Sequence, residues 1–343
     1  MEHKKIINYP SISIVTTSYN SNLEIFERVL KSIKDQDYPK SKIEHLIADG
    51  GSTNGTIELA KKYNCRVFVR KELQEEINAR MYEGIKHSNY EIIAIIETDN
   101  ILPDKTWLER MVEPFIDHKD IFCTFNSHNC YSKNMSSLSR YCSLFGVSDP
   151  VLYYLNKSDK LPWNKPETYD KGNLIEHNDN YTMVSFDHDT LPTLGDNGCL
   201  YRRDAWCKSK ISQSDFIHLD LFSELLTLGY RKFGVVHNCI YHITGSNIIS
   251  MIKRRLYYRK VYFENKRNIR KYLVFNPNSK RDIISLLKFC FYTVTLVEPL
   301  SQSIKGYIKI HDSAWFLHPL MCWIYLIGYT QFELRKTFSK LLS

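Results

Sequence analysis

The chain has 343 residues, of which 43% are apolar and 24% charged. That balance excludes an intrinsically disordered chain and a peptide-sized scaffold held by disulfides; at roughly 100–200 residues per domain it fits one large domain with an appendage, or two domains. The net charge of +8 is localised: Lys253 to Arg281 holds eleven Lys/Arg against one Glu, so this segment carries +10 and the remainder −2. A basic excess confined to one stretch implies a local anionic partner such as a phosphate-bearing ligand, lipid headgroups or nucleic acid. The nine cysteines are scattered and form no C-x-x-C pair, which reads as buried thiols in a reducing compartment without a structural zinc site. MEHKKIINYP lacks an apolar core of signal-peptide length, so the ordered chain is expected to begin near Ser11 on the cytoplasmic side.

From Ser11 the pattern alternates. SISIVTTSYN is a β-rich run ending in polar residues, and Leu23 to Lys34 follows with helical spacing of Leu23, Phe26, Val29, Leu30 and Ile33. IEHLIADGGS is a second strand, TIELAKKY a helix, CRVFVRK a third strand, Glu75 to His87 a helix, and EIIAIIETDN an apolar fourth strand ending in acids. This is the pattern of a doubly wound α/β sheet, in which ligands bind beyond the carboxyl ends of the strands. Tyr19, Asn20, Asp49, Glu97 and Asp99 all stand there. Residues 122–180 read as loops and short helices. Met183 to Asp187 and Gly198 to Tyr201 are strand candidates, Leu219 to Leu228 a helix, and Phe233 to His242 a last strand. Beyond Gly245 the chain turns basic and aromatic, then apolar.

Glu97 and Asp99, spaced i, i+2 at a strand exit, can both face a cleft, and hard oxygen ligands there suit Mg²⁺ or Mn²⁺ shared with phosphates. Acids at strand ends also simply solvate turns. Asp49 can accept from a base N–H, with Gly50-Gly51 allowing close backbone approach; the alternative is an ordinary strand-to-helix turn capped by Ser52 or Thr53.

In order and spacing, SIVTTSYN, IADGGSTNGT and EGIKHSNYEIIAIIETDN resemble the nucleotide-binding half of the family 2 glycosyltransferases, inverting enzymes of GT-A type, over about Ser11 to Phe115. The resemblance implies a GT-A fold, a Rossmann-like mixed sheet flanked by helices. Residues 1–245 would form the catalytic domain (11–115 the nucleotide half, 116–245 the acceptor half) and 246–343 a helical, membrane-associated extension. It further implies a nucleotide-sugar donor held by Thr17, Tyr19, Asn20, Asp49, Arg80, Glu97, Thr98 and Asp99, with a divalent cation on Asp99. The sugar would pass to a hydroxyl of a glycan or lipid-linked acceptor, in cell-surface polysaccharide or glycoconjugate biosynthesis; nucleic-acid binding through Lys253 to Arg281 is the less expected reading, because apolar segments follow that stretch. The alternatives are a degenerate GT-A-like binding protein without turnover, or a sugar nucleotidyltransferase.

This chain departs from the family pattern at several positions. Glu97 replaces the first acid of the pair, Asn100 follows the second, Ala48 precedes Asp49, and the family's A-R-N-x-G element survives loosely as NARMYEGI. TLGDNGCLYRRDAW resembles the acceptor-side segment and implies roles for Asp196 and Asn197. SDFIHLDLFSELLTLGY falls where the family carries its general base; counting back from Gly229, the base position falls on His218 and the next acid on Asp220. Either side chain could take the acceptor proton; both are carried, with Asp220 preferred. His242 resembles a further metal ligand, and Lys253, Arg254 and Arg255 would compensate the departing diphosphate.

Ser313 to Phe332 has 20 residues without Lys, Arg, Asp or Glu, the length of a bilayer span. Ile283 to Leu300 is a weaker stretch, interrupted by Lys288 and Glu298. Basic residues ahead of apolar segments suit an anionic cytoplasmic leaflet, so peripheral or shallow attachment is expected, with a spanning hairpin as the competing arrangement.

Overall fold

The computed structural model describes residues 8–166, 168–245 and 247–341. Its elements run β1 (Ile12–Ser18), α1 (Leu23–Lys34), β2 (Ile43–Asp49), α2 (Thr56–Lys62), β3 (Arg66–Val69), α3 (Ile77–Lys86), β4 (Ile92–Ile95), β5 (Asn100–Ile101), α4 (Trp107–Asp117) and β6 (Cys123–Asn129). Then come α5 (Ser137–Phe145), α6 (Pro150–Tyr154), β7 (Asn173–His177), β8 (Tyr181–Ser185), β9 (Cys199–Arg202), α7 (Arg203–Trp206), α8 (His218–Thr227) and β10 (Lys232–His242). The chain ends in α9 (Ile248–Tyr258), α10 (Lys280–Thr295), α11 (Val297–Lys309) and α12 (Leu317–Leu341).

The chain divides into two units. One holds the chain up to Ser127 with Asp170–Asp189 and Leu194–Tyr241, and the other His128–Tyr169, Thr190–Thr193 and the chain from His242 onward. The second unit is thus discontinuous in sequence, joining 128–169 to the C-terminal helices.

The first unit is built on a mixed sheet ordered β3-β2-β1-β4-β9-β6-β10-β8-β7. Strands β1 to β4 are parallel, as the β/α alternation requires, with Ile12 opposite both Ile43 and Ile92. β4 is apolar and buried throughout, the mark of a strand covered on both faces. β9 then enters antiparallel beside β4, with Ile95 opposite Cys199, so the sheet is mixed and not purely doubly wound. Within α1, Phe26, Val29, Leu30 and Ile33 form a buried stripe as the periodicity predicted, whereas Leu23 in the first turn is exposed, and Asn22 caps the start by accepting from the Ile25 amide.

The reading of 122–180 as irregular is corrected by β6, whose seven residues CTFNSHN are all buried. Asn126, Ser127, His128 and Asn129 at successive positions erase the alternation by which a strand is recognised, yet β6 sits inside the sheet between β9 and β10. The expectation of nine thiols is also corrected: Cys130 and Cys239 are disulfide-bonded, whereas Cys65, Cys123, Cys142, Cys199, Cys207, Cys290 and Cys322 are free.

In the second unit, α5, α6 and α9 to α12 pack around Tyr141, Phe145, Phe289, Trp315, Met321 and Tyr325. The stretch from Ser313 is a single turn of tight helix (Ser313–Phe316) followed by α12. Ala314, Trp315, His318, Met321, Cys322 and Tyr325 along it are buried within the unit. Among the described residues no single helix is long and apolar enough to cross a membrane; α10 and α11, bent by 79° at their junction, pass that test only as a pair.

Candidate functional site

The candidate site lies at the carboxyl ends of β1, β2 and β4. Thr17, 4% exposed at the end of β1, donates its hydroxyl to Glu97 Oε2 at 2.6 Å. Asp49, fully buried at the end of β2, accepts four hydrogen bonds: Oδ1 from the Gly51 and Ser52 amides, and Oδ2 from the Ser18 and Ser52 hydroxyls. Its carboxylate therefore shapes the Gly-Gly turn from within. Gly51 has φ +91°, a region open to glycine and costly for a residue with a Cβ.

Asn20, with φ 45°, stitches this turn to the first strand: its amide donates to Ser52 Oγ at 2.8 Å and its side-chain oxygen accepts from the Thr53 amide at 2.9 Å. Tyr19 beside it is 36% exposed. Arg80 is not a helix-surface residue. It is 5% exposed, its Nη1 donates to the Leu73 and Gln74 carbonyls, and a Cβ added at Gly50 would stand 3.2 Å from that nitrogen. Arg80 therefore backs the turn from below.

The acidic strand end is the electrostatic centre. Burial pushes the Glu97 carboxyl up to about 8, and the Asp99 and Asp196 charges add to the rise against the Thr17 hydrogen bonds. Glu97 Oε1 is buried without a hydrogen-bond partner. Asn100, fully buried, organises the group: its Oδ1 accepts from the Glu97 amide at 3.0 Å, and its Nδ2 donates to Asp99 Oδ1 at 3.1 Å and to Asn197 Oδ1 at 3.0 Å. The last bond joins the acidic motif to the acceptor-side turn, 97 residues away in sequence. Thr98, between the two acids, is half-buried. Asn100→Leu, which strands these buried groups, is expected to lower stability by about 1–3 kcal/mol and turnover with it, as read from a melting curve and an activity assay on the same preparation.

The acceptor-side turn needs left-handed backbone at three positions, Gly195 (φ +119°), Asn197 (φ 45°) and Gly198 (φ +81°). A Cβ at Gly195 would meet the His218 ring at 3.1 Å. His218 opens α8 and its Nδ1 lies 3.0 Å from Asn78 Oδ1 on α3; it is half-buried, whereas Asp220 is 2% exposed. Facing an acceptor oxygen, Nδ1 carries the hydrogen, which makes Nε2 the basic nitrogen.

The structure thus gathers Thr17, Glu97, Asp99, Asp196, Asn197 and His218 within the first unit. Asn78 and the bridging role of Asn100 escaped sequence reasoning. Asn78 stands inside NARMYEGI two residues before Arg80, and Asn100 was visible only as a departure. His242 and the basic residues of α9 belong to the second unit. There Lys253 and Arg254 are exposed, while Arg255 donates to Ser148 Oγ at 3.0 Å and lies 3.9 Å from Asp149 Oδ2.

Residues 13–204, more than half of the chain, match the sequence pattern of Glycosyl transferase family 2. The chain belongs to that family. It is 35% identical over 108 residues to the Glycosyltransferase AglE of Haloferax volcanii, covering 30% of this chain and 34% of the relative. It is 32% identical over 111 residues to a dolichyl N-acetyl-alpha-D-glucosaminyl phosphate 3-beta-D-2,3-diacetamido-2,3-dideoxy-beta-D-glucuronosyltransferase of Methanococcus voltae, covering 30% and 33%. The matches therefore span about a third of the length of these curated relatives. The fold is similar to that of the mannosyltransferase PcManGT of Pyrobaculum calidifontis, solved with GDP-Man and Mn²⁺, at TM-score 0.51 and 13% identity over 95% of this chain and 88% of that one. The chain thus carries a family 2 domain of GT-A fold and a helical C-terminal region.

Proposed function

We propose that this transferase moves a sugar, with inversion, from a nucleotide diphosphate donor to a hydroxyl of a glycan or lipid-linked acceptor, and that turnover requires a divalent cation. The observation that carries this reading is the acidic strand end: burial, with the Asp99 and Asp196 charges adding to it, pushes the Glu97 carboxyl up to about 8, and its Oε1 is buried without a hydrogen-bond partner. Among the described residues no three His, Cys, Asp or Glu side chains are grouped to hold a metal ion. A cation held by one or two carboxylates, with phosphate oxygens and water completing its shell, is the usual arrangement for Mg²⁺ with a nucleotide and demands no more. These hard oxygen donors fit such an ion, with Asp99 the residue to hold it. When bound, it would neutralise charge on the departing diphosphate.

In the transfer, the acceptor oxygen forms a bond to the anomeric carbon as the carbon–oxygen bond to the diphosphate breaks, and the acceptor proton passes to a base. His218 is the proposed base, because it is the more accessible of the two candidates and touches the turn that carries Asp196 and Asn197. Thr17 orients Glu97, and Asn100 holds Asp99 and Asn197 in one frame. The lipid-linked acceptor is supported by the Methanococcus voltae relative, whose name specifies a dolichyl phosphate-linked sugar.

The test is nucleoside diphosphate release from UDP-, GDP- and dTDP-sugars with Mn²⁺, Mg²⁺ or EDTA, with extracted membrane lipid as acceptor. Release from one donor that EDTA abolishes and Mn²⁺ restores is the expected result. Turnover unaffected by EDTA would remove the cation from the mechanism, and donor binding without any release would favour the degenerate binding module.

A further inference from the structure

The helices α10 and α11 of the second unit expose apolar side chains. On α10, Ile284, Leu287, Phe291 and Val294 are 52–64% exposed. Their spacing of i, i+3, i+7 and i+10 places them on one stripe. On α11, Val297, Leu300, Ile304 and Ile308 repeat the spacing almost unchanged at 41–72% exposure. Both helices are also anchored on the opposite side. Phe289 and Thr293 of α10 are buried in the unit, and Ser303 and Gly306 of α11 are packed so tightly on Trp315 that a Cβ at Gly306 would stand 2.3 Å from the indole. The outward stripes therefore cannot be turned inward without unpacking the unit. Monomeric soluble proteins rarely leave so continuous an apolar surface uncovered.

The charges around the stripes select the occupant. Lys280 to Lys309 contains five Lys/Arg, namely Lys280, Arg281, Lys288, Lys305 and Lys309, all exposed, against two acids. Both acids are engaged within the unit: Asp282 is 6% exposed and accepts from the Asn276 amide, and Glu298 accepts from the Tyr154 hydroxyl. Each helix thus exposes an apolar stripe, and the charged groups left exposed on the two are only basic. A second copy of this face would oppose lysine to lysine, whereas an anionic bilayer offers acyl chains to the stripes and phosphates to the lysines.

We infer that α10 and α11 form an in-plane docking surface for an anionic lipid bilayer, with the two apolar stripes entering the headgroup boundary and Lys288 and Lys305 meeting lipid phosphates. The helices lie in the boundary and do not cross it. At 1.5 Å per residue α10 reaches about 24 Å and α11 about 20 Å, short of the roughly 30 Å of hydrocarbon, and each keeps one side packed on protein. This assigns attachment to α10 and α11, where the apolar content of residues 313–332 had suggested a later segment.

Flotation of the full chain with vesicles of phosphatidylcholine alone or with 30% phosphatidylglycerol tests the assignment. Leu287→Glu/Ile304→Glu alters only exposed positions and should keep the far-UV circular dichroism of the parent, and Lys288→Glu/Lys305→Glu spares the apolar stripes. The parent is expected to float with the anionic vesicles, the first variant to lose at least tenfold in apparent affinity, and the second to lose most of the preference for phosphatidylglycerol. The inference is overturned if the parent ignores anionic vesicles or the first variant binds as the parent does. It is equally overturned if light scattering without lipid shows a parent dimer that Leu287→Glu/Ile304→Glu dissolves. Donor turnover with a water-soluble acceptor should be the same in all three proteins, so failure here is separable from failure of the proposed reaction.

Discussion

His218→Ala is expected to lower kcat by about 10²–10⁴-fold, the range for loss of a positioned general base, while the donor still binds. The expectation rests on position. His218 begins α8, its ring lies against Gly195 next to Asp196, and Asn78 fixes which nitrogen is basic. Asp220 is on the same helix, two residues on and 2% exposed, so Asp220→Asn should act mainly on stability, leaving kcat of the folded fraction within about tenfold. Asn78→Ala releases the imidazole without removing it and should give a smaller loss than His218→Ala. The pH profile separates chemistry from structure: the acid limb of kcat in the parent should be missing from the residual activity of His218→Ala. A fully active His218→Ala beside an inactive, normally melting Asp220→Asn would transfer the base to the aspartate.

Acidification should weaken the second unit through His318. This ring is fully buried, stacks on Phe145 at 4.0 Å, and lies 3.1 Å from the Tyr141 hydroxyl at Nδ1 and 3.1 Å from the Tyr154 hydroxyl at Nε2. Tyr154 donates its hydroxyl hydrogen to Glu298 and so accepts from the ring, and Cys322 lies one helical turn along. The two tyrosines satisfy a neutral imidazole, one as donor and one as acceptor, and burial lowers its pKa to about 3. In the unfolded chain the group titrates near 6.5, so between these values the unfolded state takes up a proton that the folded state refuses. The stabilisation is complete above about pH 6.5 and is lost as pH falls, at up to about 1.4 kcal/mol per pH unit, or about 2 kcal/mol by pH 5. Urea unfolding at pH 7.5, 6 and 5, followed by tryptophan emission, should show this slope in the parent. His318→Leu should flatten it. Equal slopes in both proteins between pH 6.5 and 5 would show that His318 does not carry the effect.

Much of the candidate site was legible because its residues occupy a place that chain topology dictates. In a parallel sheet the apolar strands are covered on both faces, so polar chemistry is pushed to their carboxyl ends; Thr17, Asn20, Asp49, Glu97 and Asp99 stand there in the sequence as in the structure. The uses of individual groups were less legible. Asp49 and Arg80 looked like groups that reach outward, and the structure shows both engaged with the turn that they support. Those bonds run to backbone groups, which leave no trace in side-chain patterning.

The sequence by itself determined the β/α alternation, the three strand-end motifs and the family, because each depends on short-range periodicity and fixed spacing. Only the tertiary structure decided what long-range packing controls. β9 entering antiparallel beside β4 brings Asn197 to Asn100, and the start of α8 brings His218 to Asn78 and Gly195. The apolar helices show the same division. Residues 313–332 and 283–300 both read as hydrophobic, but hydropathy does not say which face of a helix finds a protein partner. Packing buried His318, Met321 and Tyr325 of α12 and left Leu287, Phe291 and Ile304 of α10 and α11 facing outward.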